Sequence, residues 1–278
     1  PQAEDGGRLG VKLAAVLVAA LVLAAPAAGP AEYLLSRQQP DGGFAEPGGR
    51  SDPSLTAWAV LGLAAGGRVP AMAADYLAGK PYAQATDLAL RILALRTLGQ
   101  DTPGLVAQLE SLRRPDGRIG PLVNSTIWGV LALRATERPA GSSVRYLLRQ
   151  QRPSGGWSWY PRGLADSNDT AAAVQALRAA GVSARARPIT RALAYLRRLQ
   201  RPDGGFPLVP GRSSDAQSTA WCIQAFVAAG RAPGRAAFRY LAGLRRADGS
   251  YRYSRQSGAT PVWVTSQVLP ALARDPLP

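Results

Sequence analysis

Tyr33-Leu-Leu-Ser-Arg-Gln-Gln-Pro-Asp-Gly-Gly-Phe44 returns as Tyr146-Leu-Leu-Arg-Gln-Gln-Arg-Pro-Ser-Gly-Gly-Trp157 and as Tyr195-Leu-Arg-Arg-Leu-Gln-Arg-Pro-Asp-Gly-Gly-Phe206. Tyr240 to Tyr251 is a fourth copy carrying Asp248-Gly249, and a weaker one ends at Arg114-Pro115-Asp116-Gly117-Arg118-Ile119. A recurring period of this kind decides the architecture before any single element is assigned. Each copy reads as a helix with Tyr and Leu at helical spacing, stopped by a turn in which Pro cannot continue the helix and Gly accepts positive φ.

A second motif follows each first one. Ser51-Asp-Pro-Ser-Leu-Thr-Ala-Trp58 and Ser214-Asp-Ala-Gln-Ser-Thr-Ala-Trp221 precede Ala/Leu/Val-rich runs that end at Gly. Asp166-Ser-Asn-Asp-Thr170, Asn124-Ser-Thr126-Ile-Trp128 and Val262-Trp-Val-Thr-Ser-Gln267 belong to the same series. Asp, Ser and Thr cap helix N-termini, so each motif opens a second helix. With a degenerate unit from Tyr76 to Arg96, the chain divides into six two-helix units, at about 30–66, 70–99, 104–135, 140–181, 188–230 and 234–272. Such units bury their faces only by stacking, and six of them can close into a ring with no exposed terminal repeat.

Composition narrows the chemistry. The 278-residue chain is 46% hydrophobic, enough for a sizeable core. It holds no histidine, which removes Ser-His-Asp and Cys-His catalysis and the HExxH zinc proteases. The single cysteine, Cys222, removes intramolecular disulfides and Cys-rich metal frameworks. No phosphate-binding glycine loop is present. The net charge is +15, and only Lys12 and Lys80 of the 33 bases are lysines. These bases are spread along the chain with no reading motif, which points away from nucleic acid and toward anionic lipid headgroups or wall polymers. The apolar run from Leu13 to Ala25 follows Arg8 and Lys12 and precedes Pro26-Ala-Ala-Gly29. Residues 1–29 are therefore expected to be a secretory signal or a membrane anchor, with 30–278 a single extracytoplasmic domain, secreted or anchored.

The Gln-x-Pro-Asp-Gly-Gly-Phe/Trp turns and Asp-Ser-x-x-Thr-Ala helix starts resemble the QW repeat of prenyltransferases and squalene-hopene cyclases, over about residues 30–272. The resemblance implies an all-α fold: an α/α toroid of twelve helices, six inner and six outer, with a central cavity opening where the inner helices start. It also implies that the turn aromatics Phe44, Trp157, Phe206 and Tyr251 pack structurally. The protein prenyltransferase branch needs zinc held by Asp, Cys and His, and this chain has no histidine; neither metal nor cofactor is expected. Class II terpene cyclases protonate an alkene or epoxide with the middle Asp of Asp-x-Asp-Asp. Here the match is Asp166-Ser-Asn168-Asp169, and an amide has no proton to give in the useful pKa range. Asp166 and Asp169 remain the candidate acids, while Asp52 and Asp215, at equivalent helix starts, also suit the helix dipole.

The same toroid resembles the helical domain of the vitamin B12 carriers, which bind and do not catalyse. The loops between turn and second helix bring Trp157, Trp159, Tyr160 and Arg162, Arg212, and Tyr251, Tyr253 and Arg255 toward one opening, with Asp52 and Asp215 beside them. Aromatic faces and guanidinium groups suit a flat or amphipathic ligand, unless these arginines pair with the aspartates or serve solubility. Trp58, Trp128, Trp221 and Trp263 either pack as core or line the cavity. The expectation is an exported toroid that binds a hydrophobic or amphipathic small molecule, with a corrinoid or an isoprenoid as candidate, and whose charge suits association with a membrane surface. The alternative is a terpene cyclase-like enzyme with a degenerate acid motif.

Overall fold

The computed structural model describes residues 29–82 and 84–277; the apolar run expected as a signal or anchor lies outside them. Twelve helices alternate along the described chain as six pairs. The first members are α1 (Pro30–Leu35), α3 (Ala73–Ala78), α5 (Pro103–Ser111), α7 (Gly141–Gln150), α9 (Arg187–Leu199) and α11 (Arg235–Ala242). The second members are α2 (Pro53–Ala65), α4 (Ala85–Thr97), α6 (Val123–Ala135), α8 (Ser167–Ala179), α10 (Ala216–Ala228) and α12 (Pro261–Ala273). Extended structure among the described residues is confined to isolated bridges such as Trp157 with Asp166.

The second members form the inner ring. Each packs on the next, and α12 returns to α2, so the ring closes as an α/α toroid. The first members lie outside and bury a single stripe, for example Tyr146 and Leu147 in α7. Helices surrounded on all sides have no reason to be amphipathic, and α6 is buried continuously from Val123 to Leu133. Each inner helix has 13 residues and so spans about 20 Å.

In five of the six units, all but the α3–α4 pair, the repeated turn fastens the outer helix to its inner partner through one hydrogen bond. The backbone N–H of Phe44 donates to Thr56 Oγ1 at 2.8 Å, and the same bond joins Ile119 to Thr126, Trp157 to Thr170, Phe206 to Thr219 and Tyr251 to Thr265. The Asp of the turn accepts the N–H two residues on, as Asp41 does from Gly43, and Gly42 supplies φ +84° beneath the carbonyl of Met72, where no Cβ fits. Asp52, Asp166 and Asp215 cap α2, α8 and α10 by accepting from Leu55, Asp169 and Ser218.

A second fastening runs between neighbouring units. The loop before an inner helix caps the N-terminus of the preceding one. Trp159 O accepts from Asn124 N, Leu208 O from Ser167 N and Tyr253 O from Ala216 N. At the seam, where the first unit meets the last, a side chain replaces the carbonyl. Here Glu46 accepts from Val262 N at 3.0 Å and Trp263 N at 2.8 Å.

Candidate functional site

The threonines that fasten the turns also set the register of the ring's interior. On a helix, residues two positions before and two after a given residue lie four apart on the opposite face. The earlier position gives Ser54, Thr86, Asn124, Asn168, Gln217 and Trp263; the later gives Trp58, Leu90, Trp128, Ala172, Trp221 and Gln267, with Leu88 replacing Thr in α4. All twelve line one cavity of about 600 Å³ at the end where the inner helices begin. The upper layer is polar except for Trp263, and the lower is apolar except for Gln267. Gln84, Asp87, Asp166 and Asp169 from the helix starts, with Trp159 and Leu208 from the loops, complete the wall.

The lower layer is an aromatic floor. Trp58 meets Trp128 edge to face at 5.2 Å between centroids and Trp221 at 5.6 Å, and Trp128 meets Trp221 at 5.6 Å. Trp263 joins Trp58 at 5.9 Å. Edge-to-face pairs at these separations are favourable beyond their area burial. The tryptophans therefore turn inward and close the ring's axis. Ala172 stands at the one floor position with almost no side chain, which leaves a bay beneath Asn168 and Asp169.

The acid pair lies on the wall above that bay. Asn124 Nδ2 donates to Asp169 Oδ1 at 2.7 Å, and Thr86 Oγ1 donates to Asn124 Oδ1 at 3.1 Å, so a chain of hydrogen bonds from α4 and α6 ends on α8. Asp166 accepts from the backbone N–H of Asp169 at 2.8 Å, and the two carboxyls hydrogen-bond to each other. Burial, and then the neighbouring Asp169 charge, push Asp166 up to about 9. Burial also raises Asp169, against the hydrogen bonds from Asp166 and Asn124 that favour its anion. The pair thus holds a proton at neutral pH.

Of the residues expected at the site, Asp166, Asp169 and Trp159 line the cavity, the last with 48% of its surface exposed at the mouth. Trp157 and Tyr251 do not; both are buried in the core by the turn, and the Trp157 indole N–H donates to Leu147 O. Tyr253 is half-buried against the core and contributes its backbone carbonyl to the α10 cap. Tyr160, Arg162 and Arg212 are exposed outside the lining, and the Arg255 guanidinium stacks over Tyr240 at 5.9 Å. Asp52 and Asp215 are spent on helix caps, and burial raises Asp215 to about 6. The expected arginine-aromatic mouth therefore reduces to Trp159, because the turn uses its aromatics for packing and the long basic side chains reach solvent. Asn124, Asp87, Ala172, Gln217 and Gln267 join the lining without having been expected there; for all but Asp87 the signal is the fixed offset from each threonine. Among the described residues no cluster of potential ligands could hold a metal ion.

Residues 125–264 match the squalene-hopene cyclase C-terminal domain, and residues 16–92 match the prenyltransferase alpha-alpha toroid domain. A search of curated proteins returned no significant match. Among solved structures, a protein from Actinoplanes is 20% identical with a TM-score of 0.68, covering 88% of this chain and 97% of its own. A variant of a type II terpene cyclase from Scytonema, solved with the substrate geranylgeranyl dihydroxybenzoate, is 18% identical with a TM-score of 0.70, covering 88% and 95%. The ent-copalyl diphosphate synthase from Streptomyces platensis is 26% identical with a TM-score of 0.62, over 80% of this chain and 50% of that one. These folds share the closed ring, and the two family models fall on its two halves: the chain belongs to the prenyltransferase/squalene-hopene cyclase domain family.

Proposed function

We propose that the chain encloses a hydrophobic isoprenoid in the central cavity, its hydrocarbon part on the tryptophan floor and its polar end against the polar upper layer. The observation that carries this reading is the two-layer lining, apolar below and hydrogen-bonding above, in a volume suited to a drug-sized ligand. That volume favours a linear isoprenoid over the bulkier corrinoid. The Scytonema relative's isoprenoid-bearing substrate supports the same class. At the mouth, Trp159, Tyr160, Leu164 and Leu208 are exposed, Leu164 at 88%. In an exported protein of net charge +15 these side chains suit shallow insertion into an anionic lipid surface, from which such a ligand would enter.

The test is a melting curve of the chain with geranylgeraniol, beside the Ala172→Trp variant that fills the bay. Ligand at 100 times its dissociation constant adds about 2.7 kcal/mol, a rise of about 5–10 °C at this chain size. A rise in the wild type that the variant loses is expected. No rise, or equal rises in both, overturns the reading.

A second reading, cyclisation started by proton transfer, is favoured by the protonated Asp166–Asp169 pair on the cavity wall. Two features weigh against it. Asn168 occupies the position of the expected acid, and a carboxyl held near 9 is a weak donor toward an alkene. Product analysis with geranylgeranyl substrates decides: a cyclic product lost in Asp169→Asn establishes it, and no product in either the wild type or Asn168→Asp removes it.

A further inference from the structure

The net charge of the protein is one-sided. Residues 140–277, the last three units, hold 20 arginines and six acids, whereas residues 29–139 hold 11 bases and ten acids, so the formal net charges are +14 and +1. Among the described residues all four ion pairs lie in the first three units and the link that follows them, as Arg138 with Glu110 does. Of the six acids in the last three units, Asp166, Asp169 and Asp215 are buried, and Asp203 and Asp248 accept hydrogen bonds from Gly205 and Ser250 of their own turns. Two arginines of this half face one cleft of about 470 Å³, between the turn at Ser154 and the loop 207–211. Arg198 donates to Ser154 O at 2.8 Å and Arg201 to Arg212 O at 3.1 Å; each bond uses one of the five N–H donors of a guanidinium. Both side chains are exposed, and no acid lines the cleft. The loop has two sides: Pro207, Pro210 and Gly211 line the cleft, while Leu208 lines the central cavity.

We infer that this cleft receives the phosphate of a lipid headgroup and that the basic half of the ring is the side that docks on an anionic bilayer. The inference rests on the proposed entry of the ligand from a lipid surface and adds which residues hold that surface. Guanidinium groups match phosphate oxygens with paired N–H donors and are more weakly hydrated than an ammonium. The apolar side chains argue for a bilayer over a water-soluble polyanion. Trp159, Tyr160, Leu164 and Leu208 are exposed in the same half as the arginines, and a surface that is basic and aromatic at once fits headgroups and the acyl boundary beneath them. One loop then carries both the headgroup contact and part of the cavity wall.

The experiment is co-sedimentation of the full chain with vesicles of phosphatidylcholine alone and of phosphatidylcholine mixed with phosphatidylglycerol. Binding to the mixed vesicles only is expected. Arg198→Gln/Arg201→Gln should weaken it about thirtyfold. Arg185→Gln/Arg231→Gln removes the same charge from exposed positions in the loops that follow the far ends of α8 and α10. Those ends lie about 20 Å from the mouth, beyond a Debye length, so this pair should weaken binding less than about threefold. Inorganic phosphate should displace the wild type more than chloride does at equal ionic strength, a measurement that needs no variant. Equal losses in the two paired variants, or displacement that follows ionic strength alone, overturn the headgroup site. Binding to polyphosphate and not to the mixed vesicles overturns the lipid partner. The melting curve with geranylgeraniol, run without vesicles, reads the cavity independently: a rise there beside a failure to dock overturns this inference and leaves the isoprenoid reading standing.

Discussion

Glu46 accepts the backbone N–H of Trp263 at 2.8 Å across 217 residues of sequence. Its other oxygen accepts from Val262, so one carboxylate meets two free donors at the start of α12. At the joints onto α6, α8 and α10 this cap is a backbone carbonyl and cannot be removed by substitution. The seam exposes the device to mutation. Glu46→Ala is expected to cost about 1–2 kcal/mol, lowering Tm by about 2–8 °C. Hydrogen exchange should quicken first in α12 and α2, which meet there. Uniform quickening around the ring would show that the seam is no weaker than the other joints.

The acid pair makes stability fall as pH rises. Asp166 moves from 3.8 to about 9 on folding, so between those values the folded state holds a proton that the unfolded state has released. Its contribution is complete below pH about 4 and is lost progressively up to about 9. Asp215, raised to about 6, adds a loss that ends near that pH. The interval from 6 to about 8, below the point at which the unfolded Cys222 thiol begins to titrate, therefore isolates the pair, with a slope approaching about 1.4 kcal/mol per pH unit for one proton. Asp166→Asn keeps a good helix cap and removes one of the two titrating carboxyls together with its charge beside Asp169. Urea denaturation between pH 6 and about 8 should show a decline in the wild type and a flatter profile in the variant; parallel profiles would refute the assignment.

The twelve-helix toroid was legible because the turns and caps that build it are local and repeat. Phe44, Trp157 and Phe206 announce the turn, and Asp52, Asp166 and Asp215 the following helix start, within windows of about a dozen residues. The site was legible only where chemistry was conspicuous, at Asp166, Asp169 and Trp159. Arg162, Arg212 and Arg255 lie in the correct loops, but a loop's position does not fix where a long flexible side chain points. Ala172 and Gln267 are marked in the sequence only by their fixed offset from Thr170 and Thr265. Their importance comes from facing an axis that exists only once six distant helices have closed around it.

If the turn bond is the common joint of the ring, its five copies should weaken the protein alike. Thr56→Val, Thr126→Val, Thr170→Val, Thr219→Val and Thr265→Val each keep the shape and strand one buried N–H. The expected cost is about 1–3 kcal/mol apiece, with Thr126→Val as severe as the rest even though Ile119 replaces the aromatic. A Thr126→Val variant as stable as the wild type would show that the aromatic ring, and not the backbone bond, holds the joint.

Cys222 offers a readout of the folded ring that needs no activity. It is fully buried beside Trp221 of the floor, and burial raises its thiol well above the usual range. A thiolate reagent has neither access nor a reactive species in the native state. Labelling should therefore wait for opening of the ring and quicken with urea in parallel with the loss of helix signal. A ligand that binds only the closed ring lowers that opening equilibrium by the factor it adds to stability, about a hundredfold at 100 times its dissociation constant. Geranylgeraniol should then protect Cys222 in the wild type and fail to protect it in Ala172→Trp. Rapid labelling in the absence of urea would mean that the floor opens locally around α10, and the cavity would then have to be described as a breathing site and not as a fixed one.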